Sequence, residues 1–401
     1  MVKQAISSPS PAQAELDASK LRTTLTSSPR AVPALDSSAT AASNICTDHM
    51  ITASWTSSAG WAAPELRPYG PISLMPTASV LHYATECFEG LKLYRGHDNV
   101  LRLFRVDRNC QRMVRSATRI ALPRFDPAEL EKLIVALCAR DGAKWLPRDT
   151  HKGRFLYLRP TLIADEPTLG VQVPKQALLF VILTVFPDMS NPQALGAMPN
   201  GAEGDDGIRG LRLLASREDT IRAWPGGFGF AKLGANYGPS LLAQGEARAR
   251  GFNQILWLFG QEGYVTEAGA SNFFVVWRSK EGRTELVTAP LDEGVILEGV
   301  TRASILEMAR ERLEGVEVVE RKYTMAEVQE ALDEGRLVEA FAAGTAFFVA
   351  PVGLIEWRGR GLQVPMEQGT TGKYAASLRG WLSDIMYGNV EHAWGKVVKE
   401  E

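Results

Sequence analysis

The sequence predicts an α/β (or α+β) protein of two domains. Its 401 residues exceed what one typical hydrophobic core organises. Strand-like apolar runs alternate with helical periodicity in both halves, while residues 188–210 lose that periodicity and are rich in Asn, Pro, Gly and acids. We therefore predict a small α/β domain at 47–187, a linker at 188–210 and a large domain at 211–388. The predicted N-terminal arm is 1–46, and the predicted C-terminal tail is 389–401.

The N-terminal arm, residues 1–46, is rich in Ser, Ala, Thr and Pro with little apolar periodicity, which predicts disorder. A transit peptide is rich in Arg and poor in acidic residues. Here no Arg precedes Arg22, and Glu15 and Asp17 fall inside the candidate region. The expected compartment is the cytoplasm, with the mitochondrion as the alternative.

The first domain begins with two stretches, 72–83 and 89–104, in which short apolar runs alternate with turns. This pattern predicts strands of one sheet. A helix is predicted from Asp107 to Arg119.

A second helix has stronger signals. Asp126 is its predicted N-cap, Pro127 takes the first helical position, and apolar residues recur from Leu130 to Cys138 at helical spacing. Gly142 is the predicted stop. Further strands are predicted at 154–161 and 177–185.

The second domain has more strands. A helix is predicted at 239–250, and Gly260-Gln-Glu-Gly263 predicts a hairpin turn. Another helix is predicted at 301–312, and Thr324-Met-Ala-Glu327 is a capping box that opens the next one. Strands are predicted at 254–259, 264–266, 272–277, 285–287, 337–341 and 346–349.

Several functional classes lack support. A net charge of −2 gives no basic patch for nucleic acid or an anionic membrane, and the longest apolar run, 177–186, is too short for a membrane helix. Dinucleotide-binding, P-loop and zinc-protease motifs do not occur. The four cysteines form no CxxC pair, so neither a metal site nor a disulfide framework is predicted, and a reducing compartment is; they are Cys46, Cys87, Cys110 and Cys138.

Lys232 is the first candidate for chemistry. It lies in Phe230-Ala-Lys-Leu-Gly-Ala-Asn-Tyr-Gly-Pro239 among glycines and apolar residues. Glycine allows a planar ligand to approach, and apolar surroundings lower the pKa of an amine, as a Schiff-base lysine requires. Tyr237 follows five residues later and could reach the same ligand. Taken alone, the stretch is also compatible with a surface lysine in a glycine-rich loop.

Other segments add candidates. Glu267 ends a predicted strand beside small residues and could keep a heteroaromatic nitrogen protonated. The helix that starts within Leu297–Arg302 offers N–H groups for a phosphate, and Gly344-Thr345 offers a hydroxyl in a tight turn. Arg105, at the end of a predicted strand, could clamp a dianion. Each of these residues, read alone, is also compatible with a solvated position.

Taken together, these segments resemble the eukaryotic branched-chain aminotransferases, and the fungal ones in particular. These are fold-type IV enzymes that use pyridoxal 5'-phosphate (PLP). The resemblance runs from about Thr47 to Gly388. Its motifs are Phe88-Glu-Gly-Leu-Lys92, Lys232-Leu-Gly-Ala-Asn-Tyr-Gly-Pro239, Leu256-Trp-Leu-Phe-Gly260, Thr266-Glu-x-Gly-x-x-Asn272, Leu286-Val-Thr-Ala-Pro-Leu-Asp292 and Ile296-Leu-Glu-Gly-Val-Thr-Arg302.

The resemblance implies roles for these residues. Lys232 would bind PLP covalently and carry the substrate's α-proton, Glu267 would pair with the pyridine nitrogen, and Tyr237 would bond to the phenolic oxygen. The implied phosphate ligands are Arg105, Thr345 and the N–H groups of Val300 and Thr301. The implied substrate contacts, some of them from a dimer partner, are Tyr83, Phe88, Tyr157, Arg159, Val171 and Ala346.

The implied activity is ping-pong transamination between branched-chain L-amino acids and 2-oxoglutarate, by a homodimer acting on small molecules, with no nucleic-acid or membrane partner. Three alternatives keep the fold and cofactor. One is a paralogue in a specialised pathway, another is a D-amino-acid transaminase or an aminodeoxychorismate-type lyase, and the third is a catalytically silent PLP-binding interaction protein.

The sequence also departs from the family pattern. Ala342-Ala343 replaces a Gly-Ser pair before Gly344, and Thr85 and Cys87 replace larger residues near the expected substrate wall. The redox CxxC of mammalian members is absent, with Phe347 and Ala350 in its place. Because Lys232, Glu267 and Tyr237 are kept, these changes bear on substrate preference more than on reaction type.

Overall fold

Two sheets organise the computed structural model, which describes residues 13–34, 45–185, 208–345 and 348–401. The strands of the first half are β1 (Arg22–Thr23), β2 (Cys46–Thr56), β3 (Gly60–Trp61), β4 (Glu65–Pro68), β5 (Glu86–Phe88), β6 (Leu91–Arg95), β7 (Leu101–Phe104), β8 (Phe155–Ile163) and β9 (Gln176–Val185). Those of the second half are β10 (Leu211–Ala215), β11 (Gln254–Phe259), β12 (Tyr264–Ala268), β13 (Ser271–Arg278), β14 (Thr284–Thr288), β15 (Val316–Glu320), β16 (Leu337–Gly344), β17 (Phe348–Trp357), β18 (Arg360–Gln363) and β19 (Gly395–Val398).

Helices lie among these strands, together with three 3-10 turns at Ala18–Lys20, Gly234–Asn236 and Gly238–Ser240. The helices are α1 (Ser79–Tyr83), α2 (Val106–Arg119), α3 (Pro127–Trp145), α4 (Leu241–Ala249), α5 (Val300–Arg312), α6 (Met325–Asp333) and α7 (Lys373–Met386). Within the described ranges, no helix combines the length and the apolar character needed to cross a membrane.

The first sheet has the order β1-β4-β2-β9-β8-β6-β7-β19, with β3 paired to β2 and β5 to β8. Its long central pair, β8 and β9, is antiparallel in a continuous register from Leu156↔Val185 to Ile163↔Leu178. Helices α2 and α3 supply apolar side chains to the core on this sheet, among them Met113, Leu133 and Leu137. This packing fixes α2 behind β5, where the candidate site begins.

The second sheet has the order β12-β11-β10-β17-β16-β13-β14-β15, with β18 on β17. Strand β12 also pairs with β13, so six of these strands form a closed ring. The register Glu267↔Asn272 belongs to that closing pair. One core lies around α6 and another around α5 and α7.

The capping predictions are confirmed. The Asp126 side chain accepts the Ala128 N–H at the start of α3, and the Thr324–Glu327 capping box has both of its bonds. The predicted stop at Gly142 is wrong, because α3 continues to Trp145. Gly142 is needed inside the helix for a different reason: a Cβ there would press on the Leu101 side chain at 2.6 Å.

Two other local predictions are wrong. Residues 72–83 form no strand, and their last part is the short helix α1. The predicted C-terminal tail, 389–401, contains β19, which pairs antiparallel with β7.

The predicted disordered arm is also wrong for residues 13–34. Leu16 is 2% exposed and belongs to the first core. Arg22 and Thr23 pair with Glu65 and Leu66, and the Thr26 N–H donates to His49 Nε2 at 3.1 Å. Residues 1–12 and 35–44 lie outside the described ranges, as does most of the predicted linker, so the domain boundaries stay a prediction.

Candidate active site

A cavity of about 470 Å³ is lined by residues of both sheets. From the first sheet come residues of β5 and β8, and from the second come residues of β12, β13 and β16. The predicted site residues that line the cavity are Phe88, Tyr157, Arg159, Lys232, Tyr237, Glu267, Val300, Thr301 and Thr345.

The backbone of Lys232 is held by the first half of the chain. Its N–H donates to Ser116 Oγ of α2 at 2.8 Å, and its carbonyl accepts the Phe88 N–H at 3.1 Å. The next residue, Leu233, forms a β-bridge with Cys87. These bonds fix the direction in which the lysine side chain enters the cavity.

The Lys232 amine reaches a polar partner and an aromatic face. Its Nζ donates to the Tyr237 phenol oxygen at 3.0 Å and lies 4.9 Å from the centroid of the Phe88 ring. The 3-10 turn at Gly234–Asn236 turns the chain back between Lys232 and Tyr237, so that their side chains meet. Gly234 leaves room for Glu86, whose carboxylate would overlap a Cβ at that position.

Glu267 lies on β12 and is 2% exposed. Its Oε1 accepts the Leu297 N–H at 3.1 Å and the Asn272 Nδ2 amide at 3.3 Å. Burial raises the pKa of the Glu267 carboxyl above its ordinary value, while the positive charge of Arg222 acts in the opposite direction. The site thus holds a buried carboxyl whose ionisation depends on its neighbours.

The other Glu267 oxygen, Oε2, lies 2.6 Å from Arg222 Nη1 in an ion pair. Nevertheless, it accepts no well-aligned hydrogen bond from any residue in the described ranges. A buried carboxylate oxygen with spare acceptor capacity is suited to a ligand N–H.

An anion-binding corner lies at the start of α5. The N-cap residue Gly299 provides no side-chain cap, so the first N–H groups of α5 have no partner from it. Val300 and Thr301 line the cavity there together with Gly344 and Thr345. Helix N-termini of this kind attract phosphate through their free N–H groups and the helix dipole.

Arg112 lines the same cavity and was missed by the sequence analysis. Its guanidinium forms a bidentate pair with Glu89, with Nε to Oε1 at 2.7 Å and Nη2 to Oε2 at 2.8 Å. Although burial raises the pKa of the Glu89 carboxyl, the charge and hydrogen bonds of Arg112 outweigh it and keep that pKa below its usual range. The available signal was a polar stripe on α2, since Asn109, Arg112 and Ser116 share one helical face and are all buried.

Arg105 is not placed in the cavity, so its predicted phosphate contact is corrected. It is the N-cap residue of α2, and its backbone has a φ of +46°. Its guanidinium pairs with Glu307 at 3.0 Å, donates to Ser304 Oγ at 3.1 Å, and lies 4.2 Å from the centroid of a Trp394 ring. Its charge is therefore used to join α2 to α5 and the C-terminal segment.

The predicted substrate residues divide into three groups. Phe88, Tyr157 and Arg159 line the cavity, with the Arg159 guanidinium 4.6 Å from the Phe88 ring and donating to the Tyr157 oxygen at 3.1 Å. Tyr83 and Val171 do not line it and are 38% and 91% exposed. Ala346 lies outside the described residues.

Glu86 is a second residue that the sequence analysis missed. It lies on β5, is partly buried and lines the cavity beside Arg159. Burial raises the pKa of its carboxyl, and the charge of Arg159 opposes that rise. One side of the cavity is therefore aromatic and cationic, with an acid that is easily neutralised.

The arrangement joins an amine, a buried carboxylate and an anion-binding corner in one cavity. Such a site can hold a phosphorylated heteroaromatic aldehyde at three points. The remaining wall can contact a second, smaller molecule.

Comparison with known proteins gives a consistent result. The family model described as "Amino-transferase class IV" matches residues 86–355. The chain is similar to the cytosolic branched-chain-amino-acid aminotransferase of Saccharomyces cerevisiae, with 46% identity over 96% of this chain and 99% of that protein. It is similar to the cytosolic enzyme of Mus musculus at 47% identity, over 87% of this chain and 85% of that protein.

A structural comparison finds the same fold among solved proteins. A bacterial-type branched-chain amino acid aminotransferase complexed with N-(5'-phosphopyridoxyl)-L-glutamate superposes with a TM-score of 0.62 at 26% identity, covering 86% of this chain and 98% of that chain. The Escherichia coli enzyme superposes with a TM-score of 0.62 at 24% identity over the same shares.

Proposed function

Because the chain belongs to the class IV aminotransferases, as a member of the branched-chain-amino-acid aminotransferase group, we propose that its cavity binds PLP and transaminates branched-chain L-amino acids with 2-oxoglutarate. The observation that carries the proposal is the meeting of Lys232, Tyr237 and Glu267 with the N-terminus of α5 in one cavity. Each of these features answers a different part of the PLP molecule.

The residues present fit the cofactor. Glu267 Oε2 is a buried acceptor without a well-aligned donor among the described residues, which suits a protonated pyridine nitrogen. The N–H groups of Val300 and Thr301, the Thr345 hydroxyl and Arg112 surround the corner that suits a phosphate dianion. Tyr237, within hydrogen-bonding distance of the lysine amine, can donate to a phenolate oxygen.

When bound, PLP supplies an electron sink for the pair left after the substrate Cα–H bond breaks. Lys232 supplies the amine that attaches the cofactor and then carries the proton from the substrate α-carbon, acting first as general base and then as general acid. The hydrogen bond to Tyr237 holds Nζ on the side of the cavity that Phe88 also lines. Glu267 keeps the ring nitrogen protonated and so strengthens the electron sink.

The substrate wall favours apolar side chains. Phe88 and Tyr157 present aromatic surface, and each buried methylene contributes about 0.8 kcal/mol. We expect leucine to exceed valine in kcat/KM roughly fourfold, and alanine by roughly 60-fold, from one and three carbon atoms respectively. Glutamate must also bind, and Arg159 with the tyrosine hydroxyls can receive its carboxylates.

We also propose a homodimer in which each subunit contributes to the partner's substrate wall. Tyr83 and Val171 support it, because both are exposed on one chain although the family resemblance places their counterparts around substrate. The Gly170 N–H donates to the Tyr83 oxygen at 2.8 Å, so the two segments form one surface. The proposed compartment is the cytoplasm, with the mitochondrion as the alternative, since fungal relatives carry both designations.

The test begins with the cofactor. Borohydride reduction of the protein with PLP, followed by peptide mapping, should label Lys232, and Lys232→Ala should lose both the label and activity. A label on a different lysine would overturn the assignment of the site.

The substrate test is a panel of kcat/KM values with 2-oxoglutarate for L-leucine, L-valine, L-alanine, L-aspartate and D-leucine. Alanine or aspartate above leucine would contradict the apolar wall, and preference for D-leucine would favour a D-amino-acid transaminase. A labelled protein that none of these donors changes would favour a lyase or a silent binding protein.

A further inference from the structure

Arg222 is a buried charge that the functions assigned above do not use. It lies in the segment between β10 and Lys232, and its side chain is 7% exposed. Its sequence neighbours Ile221 and Trp224 are 51% and 47% exposed. The segment therefore runs at the surface while this one arginine points inward.

The partner of Arg222 is Glu267. Arg222 Nη1 lies 2.6 Å from Glu267 Oε2, and the Glu267 side chain is 3% exposed. A carboxylate removed from water in this way loses its charge unless a cation stabilises it, because desolvation favours the neutral acid. Lys232 and Arg112 also favour the charged form of Glu267, but Arg222 contributes more than either of them.

The two oxygens of Glu267 are thus held differently. Oε1 is fixed by the N–H of Leu297 and the amide of Asn272, which set the plane of the carboxylate. Oε2 receives the charge of Arg222 yet keeps acceptor capacity for another donor. A cation behind a carboxylate lowers its affinity for a proton, so the proton shared with a ligand nitrogen stays on the nitrogen.

We propose that Arg222 is a positioning residue of the reaction, which holds Glu267 in its ionised form so that the pyridine nitrogen of the cofactor remains protonated. The proposal rests on the proposed function of Glu267. Arg222 acts through that carboxylate rather than on substrate, so it is not itself a catalytic residue. The competing explanation is that Arg222 merely anchors the segment that leads to Lys232.

Four variants separate these explanations. Arg222→Met keeps the length of the side chain and removes its charge, whereas Arg222→Lys keeps the charge and should restore function. Arg217→Met is the matched control, because Arg217 lies on the same segment and pairs with Asp219 while both side chains are about 70% exposed (69% and 71%). Glu267→Gln gives the signature of a neutral group at the carboxylate position.

The first measurement needs no cofactor. In the apoprotein, Arg222→Met should let Glu267 hold its proton to higher pH, so that the folded state binds more protons than the unfolded state over about pH 5–8. Stability should then fall with rising pH more steeply than in the wild type, by up to roughly tenfold in the unfolding equilibrium constant per pH unit. Arg222→Lys and Arg217→Met should follow the wild type, and the double variant Arg222→Met/Glu267→Gln should lose the added slope.

The second measurement uses the PLP-loaded protein. The absorption spectrum of Arg222→Met should move toward that of Glu267→Gln, and its kcat for leucine should fall at least about tenfold with little change in KM, because an opposite charge at this distance shifts a carboxyl pKa by about one unit or more. An anchoring role alone would give an unchanged spectrum and no added pH slope, and either result would overturn the proposal. Failure of the proposed function is distinct, because the wild type itself would then show no leucine-dependent spectral change.

Discussion

The buried pair of Glu89 and Arg112 allows stability and cofactor binding to be separated experimentally. The Glu89 side chain is 1% exposed and the Arg112 side chain 6%. Glu89→Gln keeps the shape but leaves the Arg112 charge without its counterion. Breaking a buried ion pair by removing one partner costs about 3–5 kcal/mol, so the free energy of unfolding should fall by that amount.

The assay is urea unfolding of the apoprotein at pH 7, followed by tryptophan fluorescence at fixed protein concentration. Arg115→Met is the control, because Arg115 lies one turn along α2 and its pair with Glu298 is 46% and 31% exposed. An exposed pair contributes about 0–1 kcal/mol, so this control should change little. A loss below about 1 kcal/mol for Glu89→Gln would refute the reasoning from burial.

The pH dependence of this effect has a definite sign. The pKa of Glu89 in the folded protein lies below its ordinary value because Arg112 outweighs burial. Its contribution is therefore complete above the unfolded pKa of about 4.3 and is lost as the pH falls through the lower folded pKa. The difference between wild type and Glu89→Gln should shrink at acid pH.

A double variant separates the two roles of Arg112. Replacing both members of a buried pair by uncharged groups often restores stability, so Glu89→Gln/Arg112→Met should recover much of the lost free energy. Its affinity for PLP should remain low, because Arg112 lines the anion-binding corner. Recovery of that affinity would exclude Arg112 from the phosphate site.

Two further predictions concern the thiols and the arm. Peroxide should leave activity unchanged, because all four cysteines are buried and burial raises the pKa of the Cys87 thiol; a loss that dithiothreitol reverses would contradict this. Leu16→Ala should lower the free energy of unfolding by about 2–5 kcal/mol, since Leu16 is 2% exposed, whereas Leu25→Ala, at a 51% exposed position of the same arm, should change it little.

The sequence supported predictions where the signal is local. The Asp126 cap and the Thr324–Glu327 box depend on neighbours within three residues, and both occur as expected. Lys232 and Tyr237 are five residues apart and meet through one turn. Predictions of this kind need no knowledge of tertiary contacts.

Other features depend on distant partners. Arg105 and Arg112 are both arginines near the start of α2, and only the packing of α5 and β5 decides which one lines the cavity. The arm has few apolar residues, and its order comes from Leu16 in the core and from Thr26 on His49. Tyr83 and Val171 lie outside the cavity of a single chain, so their proposed contacts require a second subunit.

The attachment of Lys232 to β5 has a consequence for how the enzyme matures. The lysine follows the second-sheet strand β10 in sequence, yet its carbonyl accepts the Phe88 N–H and Leu233 bridges to Cys87, both on a strand of the first sheet. A nascent chain therefore has no ordered receptor for a reactive aldehyde until both sheets have formed and docked. Acquisition of the cofactor would then mark the end of assembly, and the yellow colour would report complete molecules rather than partly folded ones.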